Sequence, residues 1–133
     1  MKKIMVFGSF DGLHNGHRAF FKEARSHGDY LIAVLAQDHI IEHLKGRAPK
    51  LNLTERFEHL NKEDGVDEVA IGDKELSAWE VVQKYQPEII AVGYDQATLR
   101  EDLEKHLDRL GVKPEIKVMS AYEPDIYHSS KIR

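Results

Sequence analysis

The chain has 133 residues, enough for one domain with its own core and too few for two ordinary domains. Hydrophobic residues make up 41% and charged residues 32%, proportions that exclude a disordered tail. The net charge is -4 with scattered Lys and Arg, which argues against a basic surface for nucleic acid, and the absence of cysteine excludes disulfides and thiolate zinc sites.

The N-terminal run MKKIMVF is too short for a signal peptide or a membrane span. We therefore expect a cytoplasmic protein that binds neither nucleic acid nor membrane. We also expect residues 1–133 to form a single domain.

Five apolar runs predict β-strands. Each is nearly continuous in Ile, Val, Leu and Ala, which is typical of strands that are buried on both faces of a parallel sheet. The runs are KIMVFG (3–8), YLIAVLA (30–36), DEVAIG (67–72), EIIAVG (88–93) and EIKVMS (115–120).

The segments between these runs predict helices: HRAFFKEARSHG (17–28), LTERFEHLNKEDG (53–65), SAWEVVQKYQP (77–87) and TLREDLEKHLDRLG (98–111). In the first of them, Ala19, Phe20 and Ala24 have helical spacing, and Thr54 is a candidate N-cap for the second. The third is expected to begin after Ser77. This alternation predicts an α/β fold, a single Rossmann-like doubly wound domain with a five-stranded parallel sheet.

Ligands of such sheets bind beyond the carboxyl ends of the strands. The loop GSFDGLHNGH follows the first strand, and Gly8 would let its backbone approach a ligand closely. Gly16 permits a tight entry into a helix, whose exposed amides form an anion site. His14 and His17 flank this helix start and could donate N–H hydrogen bonds to phosphate oxygens, so the loop favours a triphosphate site.

Two alternatives remain open for the histidine pair. The imidazoles could be ordinary polar loop residues, or they could bind zinc. The helical HExxH motif is absent, as are the dinucleotide glycine fingerprint and the P-loop lysine motif. We assign no protein metal ligand from the sequence.

The ten residues GSFDGLHNGH resemble the GTFDxxHxGH signature of the HxGH nucleotidyltransferases, in their cytidylyltransferase-like branch. Further segments match this family in order: LKGRAP (44–49) its basic loop, LTERFEHL (53–60) its ERxxxL helix, VGYDQ (92–96) its fourth-strand GxDx segment and HSSKIR (128–133) its terminal Ser/Thr-rich segment. The resemblance implies an enzyme that transfers a nucleoside monophosphate from ATP or CTP to a phosphorylated small-molecule acceptor and releases pyrophosphate.

The resemblance also implies roles for individual residues. His14 and His17 would stabilise charge on the triphosphate and in the transition state. Lys45 and Arg47 would hold the phosphates or the acceptor anion, and Arg56 is a candidate phosphate or acceptor contact. Mg²⁺ is expected, held mainly by the nucleotide phosphates and water. Relatives of this kind are often dimers, so a homodimer is a further expectation.

The nucleotide would be bound by the backbone and side chains of several loops. Ser9 and Phe10 would offer backbone amides near the α-phosphate, and Asp11 would orient the loop or the metal. The expected nucleotide-binding residues are Gly8, Ser9, Phe10, Asp11, Gly16, Gly93, Asp95, Gln96, Ser129 and Ser130. Those at 93–96 would lie near the base or ribose, and the two serines would bind the β- and γ-phosphates.

The acceptor is the least determined feature. Enzymes that make CDP-glycerol carry RTxGISTT before their last helix, whereas this chain has YEPDIYHSSKIR, with Glu123 near the place of that arginine. The segments VGYDQ, KGRAP and HSSKI are more similar to the archaeal-type FAD synthases, which adenylylate FMN. We expect an FMN adenylyltransferase. The alternatives are a CTP-dependent cytidylyltransferase that acts on glycerol 3-phosphate or another small phosphorylated alcohol, and a non-catalytic nucleotide-binding domain.

Overall fold

The structure, a computed structural model, describes residues 1–120. Over this range the strands are β1 (Lys3–Gly8), β2 (Tyr30–Leu35), β3 (Glu68–Ile71), β4 (Ile89–Val92) and β5 (Glu115–Val118). The helices of the same range are α1 (Asn15–Arg25), α2 (Asp38–Lys45), α3 (Leu53–Asn61), α4 (Glu80–Tyr85) and α5 (Ala97–Leu110).

The strands pair in parallel in the order β3-β2-β1-β4-β5. This arrangement confirms the predicted five-stranded parallel sheet in an α/β fold. The chain moves outward from β1 to β3 and then returns to β4 on the other side of β1. The strand order therefore reverses between β1 and β4, and a ligand site is expected at their carboxyl ends.

Both faces of the sheet are covered. Along β1, Ile4 and Val6 contribute to the core on one face, whereas Met5 and Phe7 contribute to the core on the other. All four of these side chains are buried, which explains why the run is continuously apolar rather than alternating. None of the helices within residues 1–120 combines the length and the apolar character that a membrane crossing needs.

The helices differ from the sequence pattern in detail. In α1, Phe21 and Ala24 are buried, and Phe20 is only partly buried. The N-cap of α3 is Asn52 rather than Thr54, since its side chain accepts the N–H of Glu55 at 2.9 Å. The helix α4 begins at Glu80, not directly after Ser77.

The helix α2 was not expected from the sequence pattern. Its apolar positions Ile40, Ile41 and Leu44 have helical spacing, and Gly46 ends the helix in the left-handed conformation, with φ of 75°. The first two residues of the predicted basic loop thus belong to a helix. This helix forms one wall of the site described below.

Candidate active site

A cleft of about 820 Å³ lies at the carboxyl ends of β1, β2 and β4. It is bounded by α1, α2 and the segment between β3 and α4. Most of the expected site residues line it: Gly8, Ser9, Phe10, His14, Gly16, His17, Lys45, Gly93, Asp95 and Gln96. Asp11, Arg47 and Arg56 do not line it, and Ser129 and Ser130 lie outside the described residues.

His14 and His17 together cap the N-terminus of α1. The Nδ1 atom of His14 accepts the N–H of Gly16 at 3.0 Å, and the Nδ1 atom of His17 accepts the N–H of His14 at 3.3 Å. This is a capping box in which two imidazoles take the parts usually played by a hydroxyl and a carboxylate. Because each Nδ1 is an acceptor, the neutral rings carry their proton on Nε2. Each ring can therefore present an Nε2–H donor to an anion.

The ring of His17 is partly buried. It lies 4.0 Å from the His14 ring and packs edge-on against Phe10, with 5.7 Å between ring centroids. Burial, and then the nearby charges of His14 and Arg18, lower the pKa of His17 from 6.5 to about 4. His17 is therefore a neutral donor at neutral pH in the ligand-free protein.

The backbone after β1 turns sharply over the ring of Phe10. Phe10 has φ of 49°, a left-handed conformation, and its side chain is buried against Phe21. A Cβ atom at Gly8 would lie 3.0 Å from Cζ of the Phe10 ring. Glycine at position 8 therefore lets the aromatic ring pack closely against the backbone, and a larger residue would push the ring away.

Arg56 is fully buried behind this loop. Its Nη1 donates to the carbonyl oxygens of Ser9 at 2.9 Å and Ala36 at 2.8 Å, and its Nε donates to that of Leu51 at 3.1 Å. Its Nη2 pairs with the carboxylate of Asp38. The expected phosphate or acceptor contact is therefore wrong, because the guanidinium binds three loop carbonyls behind the cleft instead of facing into it.

Asp11 also orients backbone rather than lining the cleft. Its carboxylate accepts the N–H groups of Lys50 at 2.7 Å and Leu51 at 2.8 Å, which ties the loop after β1 to the segment before α3. Partial burial acts to raise the pKa of Asp11, but these hydrogen bonds and the charges of Arg56 and Lys45 leave it lowered. Asp11 is thus an ionised brace that orients the loop after β1, which is one of the two roles expected for it.

The two basic residues expected in the site have different places. Lys45, in the last turn of α2, donates from Nζ to Oγ of Ser9 at 3.2 Å and lines the cleft. Arg47 is exposed in the loop that follows Gly46. Only Lys45 of this pair is brought to the loop that follows β1.

Gln96 joins the two strands at which the sheet order reverses. Its Oε1 accepts the N–H of Gly93 at 2.8 Å, and its Nε2 donates to the carbonyl oxygen of Phe7 at 2.8 Å. A Cβ atom at Gly93 would lie 2.8 Å from Oδ1 of Asp95, so a larger residue here would require the Asp95 side chain to move. Asp95 and Gln96 line the cleft beside this turn.

An apolar wall of the cleft was not expected. It is formed by Leu44 of α2 and by Leu76 and Trp79 from the segment between β3 and α4. The indole of Trp79 packs edge-on against Phe7 at 5.4 Å and donates from Nε1 to Asp102 at 2.9 Å. The sequence could have indicated this part of the wall, because the segment between β3 and α4 follows the carboxyl end of a strand.

Within residues 1–120, no group of three or more His, Asp or Glu side chains is arranged to hold a metal ion.

Asp73, which also lines the cleft, accepts the N–H groups of Glu80 and Val81 at the start of α4. Burial raises the pKa of this carboxyl.

The cytidylyltransferase-like family model matches residues 5–133. The FAD synthase of Thermococcus sibiricus is 40% identical to this chain over 134 residues, which span 98% of this chain and 90% of that protein. The FAD synthases of Pyrococcus abyssi and Ferroglobus placidus are 37% and 34% identical, over 98% and 99% of this chain and 88% and 86% of their own lengths.

Solved structures show the same architecture. The lipopolysaccharide core biosynthesis protein of Thermoplasma volcanium has a TM-score of 0.84 and 30% identity, over 92% of this chain and 99% of that chain. The pantoate-beta-alanine ligase of Francisella tularensis has a TM-score of 0.60 and 15% identity, over 89% of this chain and 58% of that chain, a likeness of fold alone.

Proposed function

The chain belongs to the cytidylyltransferase-like family and is a nucleotidyltransferase, and we propose that it transfers AMP from ATP to FMN, forming FAD and pyrophosphate. The choice of ATP and FMN is supported by the FAD synthases that are 34–40% identical over nearly the whole chain. The observation that carries the reaction type is the histidine pair at the start of α1, whose Nδ1 atoms are engaged and whose Nε2 atoms carry the donor protons.

In the proposed reaction, an oxygen of the FMN phosphate forms a bond to the α-phosphorus of ATP. The bond between that phosphorus and the oxygen that bridges to the β-phosphate breaks, and pyrophosphate leaves with the bonding electrons. This chemistry needs alignment and charge stabilisation rather than a covalent protein nucleophile. The Nε2–H groups of His14 and His17 and the start of α1 would supply partial positive charge to the cleft, and the ammonium of Lys45 a full charge.

Mg²⁺ would enter as part of the ATP substrate, since a divalent metal is typical of this family. The described residues offer no cluster of metal ligands, an arrangement that suits an ion bound by phosphate oxygens and water. When bound, the ion would neutralise charge on the pyrophosphate that leaves.

We keep Ser129 and Ser130 as proposed ligands of the β- and γ-phosphates. We also keep a cytoplasmic homodimer as the proposed form of the protein.

The test is a reaction screen with purified protein and Mg²⁺, crossing ATP and CTP with FMN and glycerol 3-phosphate. Chromatographic detection of FAD, together with stoichiometric pyrophosphate from ATP and FMN alone, is the expected result. Turnover of CTP with glycerol 3-phosphate, and no FAD, would overturn the proposal in favour of a cytidylyltransferase.

The histidine roles are tested with matched variants. We expect His14→Ala and His17→Ala to lower kcat by about 100-fold or more, because each removes a donor to developing charge. His59→Ala is the control, since His59 is exposed on α3 and does not line the cleft. Equal turnover by all three variants would contradict the proposed roles.

A further inference from the structure

Exposed large apolar side chains are concentrated in the cleft. Within residues 1–120, they are Met1, Leu44, Ile71, Leu76, Tyr94 and Val118, and three of the six line this one cavity. Leu44 is 62% exposed and Leu76 is 50% exposed. A single exposed leucine is ordinary, but a group of them in one concave site marks a surface for an apolar part of a ligand.

Leu44 and Leu76 belong to two segments that are hydrogen-bonded to each other. Leu44 is in the last turn of α2, and Leu76 follows β3. His39 of α2 lies 2.7 Å from the carbonyl oxygen of Lys74, measured from its Nε2. Just before α2, Gln37 donates to the carbonyl oxygen of Gly72 at 2.8 Å. These contacts fix the positions of the two segments relative to each other, so the apolar surface exists before a ligand binds.

The surface that the last turn of α2 presents to the cleft changes in polarity from one residue to the next. Lys45 donates to Ser9 at the phosphate-binding loop, whereas its neighbour Leu44 is an exposed apolar surface. A ligand that fits this order carries an anion at one end and an apolar ring at the other. Both substrates of the proposed reaction carry phosphate, so their rings distinguish them.

The rings of the two substrates differ in their edges. The rim of adenine is occupied by ring nitrogens and an amino group, which need hydrogen-bond partners when they are buried. The isoalloxazine ring of FMN has a dimethylbenzene edge without polar atoms. Aliphatic side chains pack most favourably against that edge.

We infer that Leu44 and Leu76 form the flavin subsite of the cleft. The dimethylbenzene edge of the isoalloxazine packs against these two side chains, and the FMN phosphate lies beside Lys45 and Ser9. This assignment rests on the proposed function, because FMN is the acceptor in that reaction. It adds the residues that select a flavin over a small polyol phosphate.

The test measures FMN and nucleotide binding separately in intact protein. Trp79 is the only tryptophan of the chain and lines the same cleft, so FMN binding is followed by quenching of its fluorescence. Binding of α,β-methylene-ATP with Mg²⁺ is followed by calorimetry. The variants are Leu44→Ser and Leu76→Ser, with Val118→Ser as the control because Val118 is 54% exposed on β5 and does not line the cleft.

We expect each leucine variant to raise the Kd of FMN by about tenfold or more, since each removes most of the apolar surface of a buried contact. The Kd of the ATP analogue should stay within about twofold. Leu44→Met keeps an apolar side chain and should bind FMN nearly as tightly as the unmodified protein. This variant separates loss of the contact from loss of the fold.

Two results overturn the inference and differ in meaning. If the unmodified protein forms FAD while the leucine variants bind FMN like Val118→Ser, or lose affinity for the ATP analogue instead, the flavin ring lies elsewhere. If the unmodified protein neither binds FMN nor forms FAD, the proposed function fails as well.

Discussion

Arg56 donates from Nη1 to the carbonyl oxygen of Ser9 at 2.9 Å, from a position with no exposure to solvent. In a trans peptide the N–H points opposite to the C=O, so the amide of Phe10 points away from Arg56. Ser9 and Phe10 line the cleft on the other side. The buried guanidinium therefore helps to set the direction of the amide that was expected near the α-phosphate.

Replacement of Arg56 by Gln should destabilise the protein strongly. The variant strands the carbonyl oxygens of Ser9, Ala36 and Leu51, and we expect a loss of about 3–5 kcal/mol in the free energy of unfolding, measured by urea denaturation. Arg100→Gln is the control, because Arg100 pairs only loosely with Glu104 at 3.8 Å and should cost less than about 0.5 kcal/mol. Equal losses in both variants would refute the role given to Arg56.

Replacement of Asp11 by Ala should release the segment between α2 and α3. Its carboxylate holds the N–H groups of Lys50 and Leu51, so its loss should speed tryptic cleavage after Arg47 and Lys50 by about tenfold. Asp29→Ala is the matched control, since Asp29 accepts the N–H of Lys2 at 3.0 Å far from this segment. Unchanged cleavage in Asp11→Ala, read by mass spectrometry of the fragments, would contradict the brace.

The fold was predictable because its strongest signal is local. Runs such as KIMVFG and EIIAVG are apolar at nearly every position after their first residue, a pattern typical of strands that are covered on both faces. The loop GSFDGLHNGH was also recognisable, since its glycines and histidines are packed into ten residues. Strand ends converge in a parallel sheet, so several expected residues came together in one cleft.

The features that were missed depend on long-range contacts. An arginine on a helix looks the same in sequence whether it faces water or, like Arg56, binds carbonyl oxygens from three separate segments. The helix α2 is only eight residues long, and most of its positions are polar or charged, so its apolar spacing was weak. The backbone is left-handed at Ser77 and Trp79, so α4 begins only after these residues. The indole of Trp79 lies in the wall of the cleft.

Replacement of Gln96 by Glu should weaken the junction of β1 and β4. The side chain amide donates to the carbonyl oxygen of Phe7, and a carboxylate there would oppose one acceptor with another. We expect a loss of about 1–3 kcal/mol in the free energy of unfolding. The same variant should weaken ATP and FMN binding together, because the junction underlies the whole cleft. Selective loss of ATP binding at unchanged stability would instead make Gln96 a reader of the base.

The stability of the protein should depend on the protonation of His17. Its pKa is about 4 in the folded protein and 6.5 without burial, so between these values the unfolded chain binds a proton that the folded chain does not. Stability is therefore lost as the pH falls from 6.5 towards 4. In His17→Asn, whose carboxamide oxygen can still accept the N–H of His14, this loss should be smaller. Urea denaturation at about pH 8 and about pH 5 measures the difference, and parallel pH profiles for the two proteins would show that His17 does not carry it.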